Sequence, residues 1–460
     1  MPRSPIVLSL LTTCLAVATS GPARASDDEA LPERLVALVT GDDADFRGLA
    51  LEQVRRGGGG AAATRRLAAL LPTLPPARQA ELVAALGTRG DAAALAAIGD
   101  LFSGSADAGV RLAAIRALGA LGGAAEIGPL APLLAAGGPE ADAATQSLVQ
   151  LRGAAAAKAL RAAAAEGAPA ARARLYDVLR ARRDKGALAA AAGAATSDEP
   201  PLRAAALALL RDLGGPADVP AMVQVVLATE SGPARQEAER ALVAVCQRNP
   251  GHEAAARGFL EIFRAAPVAD REPLLPILGA VGGTEALGII DALVASPDAA
   301  TRRLGIAALS RWPDAAVVSR LLELVARTTD SADRDLVVGG LIRIAPLPDN
   351  GLDDAGRLDL VRRTFELCRT ADERARLLER ASAIRTVDTL RFVKPFLADP
   401  ALAEPACRCV VELAHHRQLR DGHRDEFLAA LDAVVATTKD SELVERAGRY
   451  KAGKTWERGR

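Results

Sequence analysis

The sequence predicts an all-α fold, an α-α superhelix of about thirteen helix pairs, and three observations predict it. An arginine returns at steps of mostly 31 to 33 residues, at Arg47, Arg78, Arg111, Arg172, Arg203, Arg235, Arg271, Arg302 and Arg334, with Arg374 after one longer step. Half of the 460 residues are hydrophobic and only 3% are aromatic, with alanine dominant, a composition that favours helix over strand. Helix start, apolar stripe and helix stop recur in the same order along the chain, and no stretch shows the two-residue alternation of a strand. A single core rarely grows beyond ~250–300 residues. A fixed period then selects a repeat array, in which each unit buries its apolar face against its neighbours.

The chain opens on a segment of another kind. Arg3 supplies a positive start, Ile6 to Ala18 an apolar run, and Ala23-Arg24-Ala25 a small-residue cleavage pattern, so residues 1–25 read as a signal peptide. Thr12-Thr13-Cys14 lacks the small residues of a lipoprotein anchor. Cleavage removes Arg3 and Arg24 and no acid, leaving 55 basic against 57 acidic side chains. The expectation is an exported, periplasmic or extracellular protein with no later membrane span. The arginine-over-lysine bias fits a GC-rich bacterial genome.

Residues 26–460 form the solenoid. In the third pair, Leu95, Ile98, Leu101 and Phe102 make one apolar stripe and Val110, Ala114, Leu118 and Leu121 the facing one, with a capping turn over Ser103 to Asp107. Pro139, Pro169, Pro200, Pro233, Pro267, Pro297 and Pro400 mark the starts of other second helices, where a missing N–H costs nothing. Gly122-Gly123, Gly214-Gly215 and Gly282-Gly283 mark stops suited to a left-handed cap. Ala144-Thr145 and Glu404 fall where two arginines of the row are missing. The long step before Arg374 is filled by Ala345 to Gly356, a hinge or insertion rich in Pro, Asn-Gly and Asp; Gly57 to Gly60 is a second break.

The unit running from Asp107 to Gly122, D-x-x-[VL]-R-x-x-A-[AIL]-x-A-L-x-x-L-G, resembles the short HEAT-like repeats of the phycobilisome-lyase type. The resemblance spans nearly all of residues 30–450. It implies a superhelix whose second helices line the concave side and hold protein partners.

Chemistry is sparse. Gly448 to Thr455 matches G-x-x-x-x-G-K-[ST], but it follows a helix, and only Trp456 to Arg460 remain to receive a phosphate. It therefore reads as part of a basic tail, 450–460, with no ATP. Cys409, Glu412 and His416 fall at i, i+3 and i+7 of one helical face, a weak zinc candidate; Cys407 lies on the other side. The bland reading, core cysteines with histidines at a helix end, is preferred. Cys246, Cys368, Cys407 and Cys409 are too few for a disulfide framework, though a single bridge remains open. There is no nucleophile elbow and no singled-out carboxylate pair, and the charge balance lacks the basic footprint of a nucleic-acid binder. No cofactor is expected. Trp456 is a candidate docking residue or part of a terminal cap.

The arginine row is read as a structural ladder, each guanidinium pairing with an acid or carbonyl of the adjacent repeat; the other reading places it in the groove, gripping an acidic partner. The function expected is a non-enzymatic scaffold or adaptor binding proteins along the concave face. Alternatives are a bilin lyase or isomerase-like small-molecule handler, or a detached accessory subunit of an exported oxidoreductase or hydrolase. On the structural reading, Arg203→Ala lowers stability by about 1 kcal/mol in urea unfolding and leaves partner binding intact; the reverse outcome favours the groove.

Overall fold

In a computed structural model of the chain, residues 33–57, 59–248 and 252–456 are described; residues 1–25, read above as a signal peptide, lie outside them. All regular structure among the described residues is helical, and it resolves into thirteen helix pairs. The fold class is all-α, a solenoid of repeated helix pairs. The chain divides into two compact units at Gly214-Gly215, the end of a second helix. The described part of the first unit holds six pairs and the second unit seven.

Within the first unit the second helices Ala44–Arg56, Pro76–Arg89, Ala108–Leu121, Gly138–Gln150, Pro169–Ala181 and Pro200–Leu213 pack in chain order, each against the next. In the second unit Pro233–Cys246, Leu275–Val281, Ala299–Leu309, Ser331–Ile344, Ala371–Ala381, Ala403–His415 and Ser441–Lys451 do the same. First helices are often shorter and open with a tight turn, as at Ala92–Ala94, Lys185–Ala187 and Ala315–Val317, each held by an aspartate that accepts from the backbone: Asp91, Asp184 and Asp314.

The apolar stripes meet as their spacing requires. Ile98 and Phe102 are buried with Val110, Ala114 and Leu118, and the Asp107 carboxylate caps the second helix by accepting from Val110 N at 2.9 Å. Fully burying a leucine contributes about 1.5–3 kcal/mol, against about 0–1 kcal/mol for an exposed ion pair. Packing therefore holds the stack, and polar contacts set its geometry.

Neighbouring second helices approach closely where small residues face each other. A Cβ on Gly279 would strike the carbonyl oxygen of Ala308 in the next second helix, which is backbone and cannot swing aside. The glycine stops differ in detail from expectation. Gly282 and Gly283 take positive φ of 76° and 99°, whereas Gly122 and Gly214 stay at φ −84° and −59°. Their helices end without a left-handed residue. Pro139, Pro169, Pro200 and Pro233 sit in the first helical turn, while Pro267, Pro297 and Pro400 lie just before it.

The segment 345–356 is an insertion tied into two pairs. Asn350, 2% exposed, donates through Nδ2 to Ile344 O at 2.8 Å, and its own carbonyl accepts from Ala315 N at 2.9 Å. Arg357 Nη1 donates to Pro346 O at 3.1 Å. Gly57 is a left-handed helix cap at φ 88°, and Gly58 lies outside the described residues.

Gly279→Ala is expected to cost about 1–3 kcal/mol through overpacking, read as a lower urea midpoint. Gly123→Ala, whose added Cβ meets nothing within 4 Å, should leave the midpoint unchanged.

Candidate interaction surface

Each arginine of the row except Arg271 stands at the third or fourth position of its second helix, one turn in from the cap; Arg271 ends a short helical turn, Val268–Arg271, that leads into Leu275–Val281. From there a guanidinium reaches back to the carbonyls that end the first helix of the same pair. Arg47 Nη1 donates to Gly41 O at 3.4 Å, Arg111 Nη1 to Phe102 O at 3.2 Å and Arg172 Nε to Ala164 O at 3.0 Å. Arg203 Nη1 reaches Ser197 O at 2.9 Å, Arg235 Nε reaches Thr229 O at 2.7 Å, and Arg302 Nη1 reaches Ser296 O at 3.3 Å. Arg271 takes both Ala266 O and Arg264 O, at 3.0 and 2.8 Å. Arg374 lies 5.2 Å over the ring of Phe365 in its own pair.

For these members the expected repeat-to-repeat ladder is therefore corrected to a clasp within the pair. The physical reason is reach: the first helix's unpaired carbonyls lie only 5 to 9 residues back in sequence, at the near end of the same turn. Four members bridge pairs as the ladder expected: Arg78 and Arg334, and Arg47 and Arg111 in addition to their clasp. Arg78 Nη2 meets Asp42 at 3.0 Å, Arg47 Nε meets Glu81 at 3.4 Å, and Arg334 Nη2 donates to Leu367 O. Arg111 clamps Glu140 through two contacts of 2.8 Å, and that hydrogen-bonded pairing holds the Glu140 carboxyl below the usual range. The vacancies also shift register. They fall at the buried Ala141 and Ala406, because those helices open at Gly138 and Ala403. Glu404 instead accepts from Thr438 Oγ1 at 2.7 Å and Lys439 N at 3.2 Å.

Further fastenings between pairs come from arginines that the periodic row did not include, at the ends of second helices. Arg89 Nη1 donates to Val54 O at 3.2 Å. Arg182 Nη1 donates to the carbonyls of Leu148, Val149 and Leu151 at 3.1, 2.7 and 2.6 Å. Arg343 reaches Ser310 O and Trp312 O, and Arg380 reaches Arg343 O at 3.2 Å. Each caps the preceding second helix, where a cation also suits the negative dipole end. The available signal was a basic residue in or just after the last turn, which is ordinary helix chemistry and hides among other arginines.

The zinc candidates do not converge, and among the described residues no three His, Cys, Asp or Glu side chains gather as a ligand set. The helix ends at His415, and His416 is its extended cap at ψ 96°, which takes the imidazole off the face assumed for it. Cys409 is 1% exposed, and burial pushes its thiol far up; Glu412 accepts from Arg446 Nη2 at 2.8 Å. All four described cysteines are free and buried, with burial raising Cys246 to about 12 and Cys368 and Cys407 to about 11. Such thiols stay protonated and are poor ligands or nucleophiles.

The phosphate-loop match is a helix ending. Gly453, at φ 72°, donates to Tyr450 O at 3.0 Å, and Lys454 N donates to Arg449 O at 2.9 Å, the paired bonds of a Schellman cap. This is the negative end of a helix, the opposite of a phosphate site. Trp456 is half-buried and folds back, with the Arg449 guanidinium 5.9 Å from its ring. Residues 457–460 lie outside the described residues. No described helix is long and apolar enough to cross a membrane.

No family model and no curated protein matches the chain. Among solved structures it is similar to Kap121p bound to Ste12p, at 12% identity and TM-score 0.43, over 98% of this chain and 57% of that one. Yeast importin-beta (Kap95p) is 10% identical at TM-score 0.36, over 91% and 62%, and a homology model of the full-length AP-3 complex is 12% identical at 0.33, over 97% and 98%. The chain thus spans little more than half the length of Kap121p.

The last two pairs meet beside a pH-sensitive group, His416. His415 Nδ1 lies 3.0 Å from the buried Tyr450 hydroxyl, and the rings of His415 and His416 are 5.8 Å apart. Burial first, then Arg385 and His415, push His416 below its ordinary 6.5, with Glu412 opposing; Arg420 and Arg446 lie over the Tyr450 ring. The unfolded chain therefore binds the His416 proton first as pH falls, so stability is kept above about pH 6.5 and declines below it. Unfolding midpoints between pH 7.5 and about 5 should fall for the native chain and fall less steeply for His416→Gln.

Proposed function

We propose that this chain is an exported, non-enzymatic scaffold that binds protein partners over a broad polar surface, built from HEAT-like repeats of the phycobilisome-lyase type. The observation that carries this reading is how the stack distributes its side chains. Leucine, valine, isoleucine and alanine fill the spaces between helices, while among the described residues the large apolar side chains left exposed are scattered: Leu38, Leu49, Val268, Leu352 and Val435. The remaining surface is mixed charge, 57 basic against 57 acidic residues over the whole chain. A long face of this kind suits a wide polar contact rather than one hydrophobic anchor.

Export rests on Arg3, the run Ile6 to Ala18 and the Ala23-Arg24-Ala25 pattern. The small-molecule alternative draws less support. The clefts beside Arg391, Lys394 and Pro395, and beside Glu239, Gln247 and Ile277, are lined by charged and aliphatic groups rather than by aromatic walls for a tetrapyrrole.

Crosslinking in intact cells, followed by purification from the periplasmic fraction, should recover a discrete protein partner. A partner that is itself an exported oxidoreductase or hydrolase would specify the scaffold as an accessory subunit. Bilin or haem mixed with the mature chain should give no shifted absorption band. A bound, shifted band, or a periplasmic chain with no crosslinked partner, overturns the proposal.

A further inference from the structure

In a solenoid each helix pair packs on its immediate neighbours, and the arginine fastenings of this stack join neighbours in the same way. One ion pair does not. Arg311, two residues beyond the second helix Ala299–Leu309 of the ninth pair, donates through Nη1 to Glu239 Oε2 at 3.2 Å. Glu239 belongs to Pro233–Cys246, the second helix of the seventh pair, 72 residues back. The contact passes over the eighth pair. Glu239 is 7% exposed, while the Arg311 side chain is half-exposed. Arg343 fixes the far end of the tie. Its Nε and Nη2 donate to Ser310 O at 3.2 and 3.1 Å, and Nη2 also to Trp312 O, which holds the backbone on both sides of Arg311.

The eighth pair is where the stack can yield. Among the described second helices, its own is the one that is broken: Val268–Arg271, a tighter turn over Glu272–Leu274, then Leu275–Val281. Pro273 and Pro276 bring no N–H to that stretch, so the regular hydrogen-bond ladder is interrupted there. An interruption of this kind inside a helix is a place to bend. The end of the helix is held more firmly. Gln247 Nε2 donates to Ala280 O at 2.6 Å, and Gly279 lies against the Ala308 backbone. Beside the ion pair the helices do not fill space. A cleft of about 210 Å³ lies there, walled by Val243, Pro276, Ile277 and Ala280 together with Glu239 and Arg311. What joins the seventh and ninth pairs across it is the ion pair.

We propose that the Arg311–Glu239 ion pair is a latch across a hinge at Glu272–Leu274. Closed, it holds the seventh and ninth pairs together over the eighth. Open, the two pairs turn apart about the broken helix, the cleft widens, and water reaches the Glu239 carboxylate. The drive comes from the asymmetry of the two groups. A carboxylate buried to this degree is costly once its cation leaves, whereas a half-exposed guanidinium is already hydrated. Release of the pair therefore favours the open backbone. The latch is a property of the stack itself and holds with or without a protein partner.

Spin labels at Gln236→Cys and Ala300→Cys, exposed positions on the seventh and ninth second helices, report the distance between those pairs by double electron–electron resonance. The described native cysteines are buried and stay unlabelled. In the full mature chain, Arg311→Gln should lengthen that distance by about 2 Å or more and broaden its distribution, with helix content unchanged by circular dichroism. The native chain should move the same way between about 0.1 and about 1 M salt, and Arg311→Gln should move no further. Arg320→Gln is the control. Its ion pair with Asp291, at 3.2 Å, joins neighbouring pairs, and its loss should leave the labelled distance as it is in the native chain. An unchanged distance in Arg311→Gln overturns the latch, as does equal lengthening in Arg320→Gln. If Arg311→Gln does not fold, a native distance that ignores salt overturns it.

Discussion

Every helix in a stack of short helices ends in carbonyl oxygens that have no partner within that helix. A long single helix meets this problem once, but a chain of thirteen pairs meets it at every turn. In this protein the answer is repeatedly a guanidinium group. One set of arginines, early in the second helices, closes the end of the first helix; another set, late in the second helices, closes the end of the preceding pair. Arg203 on Ser197 and Arg182 on Leu148, Val149 and Leu151 represent the two. Arginine suits the task because its fork spans several carbonyls at once and stays charged when half-buried.

Apolar packing supplies most of the stability, and it constrains where these clasps can form. Close approach at Gly279 brings the second helix Leu275–Val281 against Ala299–Leu309. Such approach lets a side chain from one pair reach the end of the next. Glycine or alanine at the contact and arginine at the ends are thus one arrangement: small residues set the distance and long residues cross it. The insertion before Asp354 follows the same rule with a different residue, since Asn350 provides the groups that a regular turn would have satisfied.

The candidate surface was only partly legible in the sequence. The periodic arginines announced themselves by their spacing, yet their partners did not, because a carbonyl leaves no mark in the amino-acid letters. Glu239 and Arg311 stand 72 residues apart, two pairs away from each other, and neither marks the other. The metal candidate failed for a related reason. Cys409, Glu412 and His416 share a face only if the helix continues, and it stops at His415. The letters of the phosphate-loop match have neither the flanking strand nor the following helix that such a motif needs, and in the structure they close the helix Ser441–Lys451 at its C-terminal end.

The sequence by itself determined the all-α class, the number of pairs, the positions of second helices and most of their caps. These depend on local periodicity and on the conformational limits of Pro, Gly, Asp and Ser, which act within a few residues. The tertiary structure decided which carbonyl each arginine holds, the division at Gly214-Gly215 and the tying of Asn350 into its neighbours. Those depend on distances across turns and between neighbouring pairs, and such distances exist only once the helices have packed.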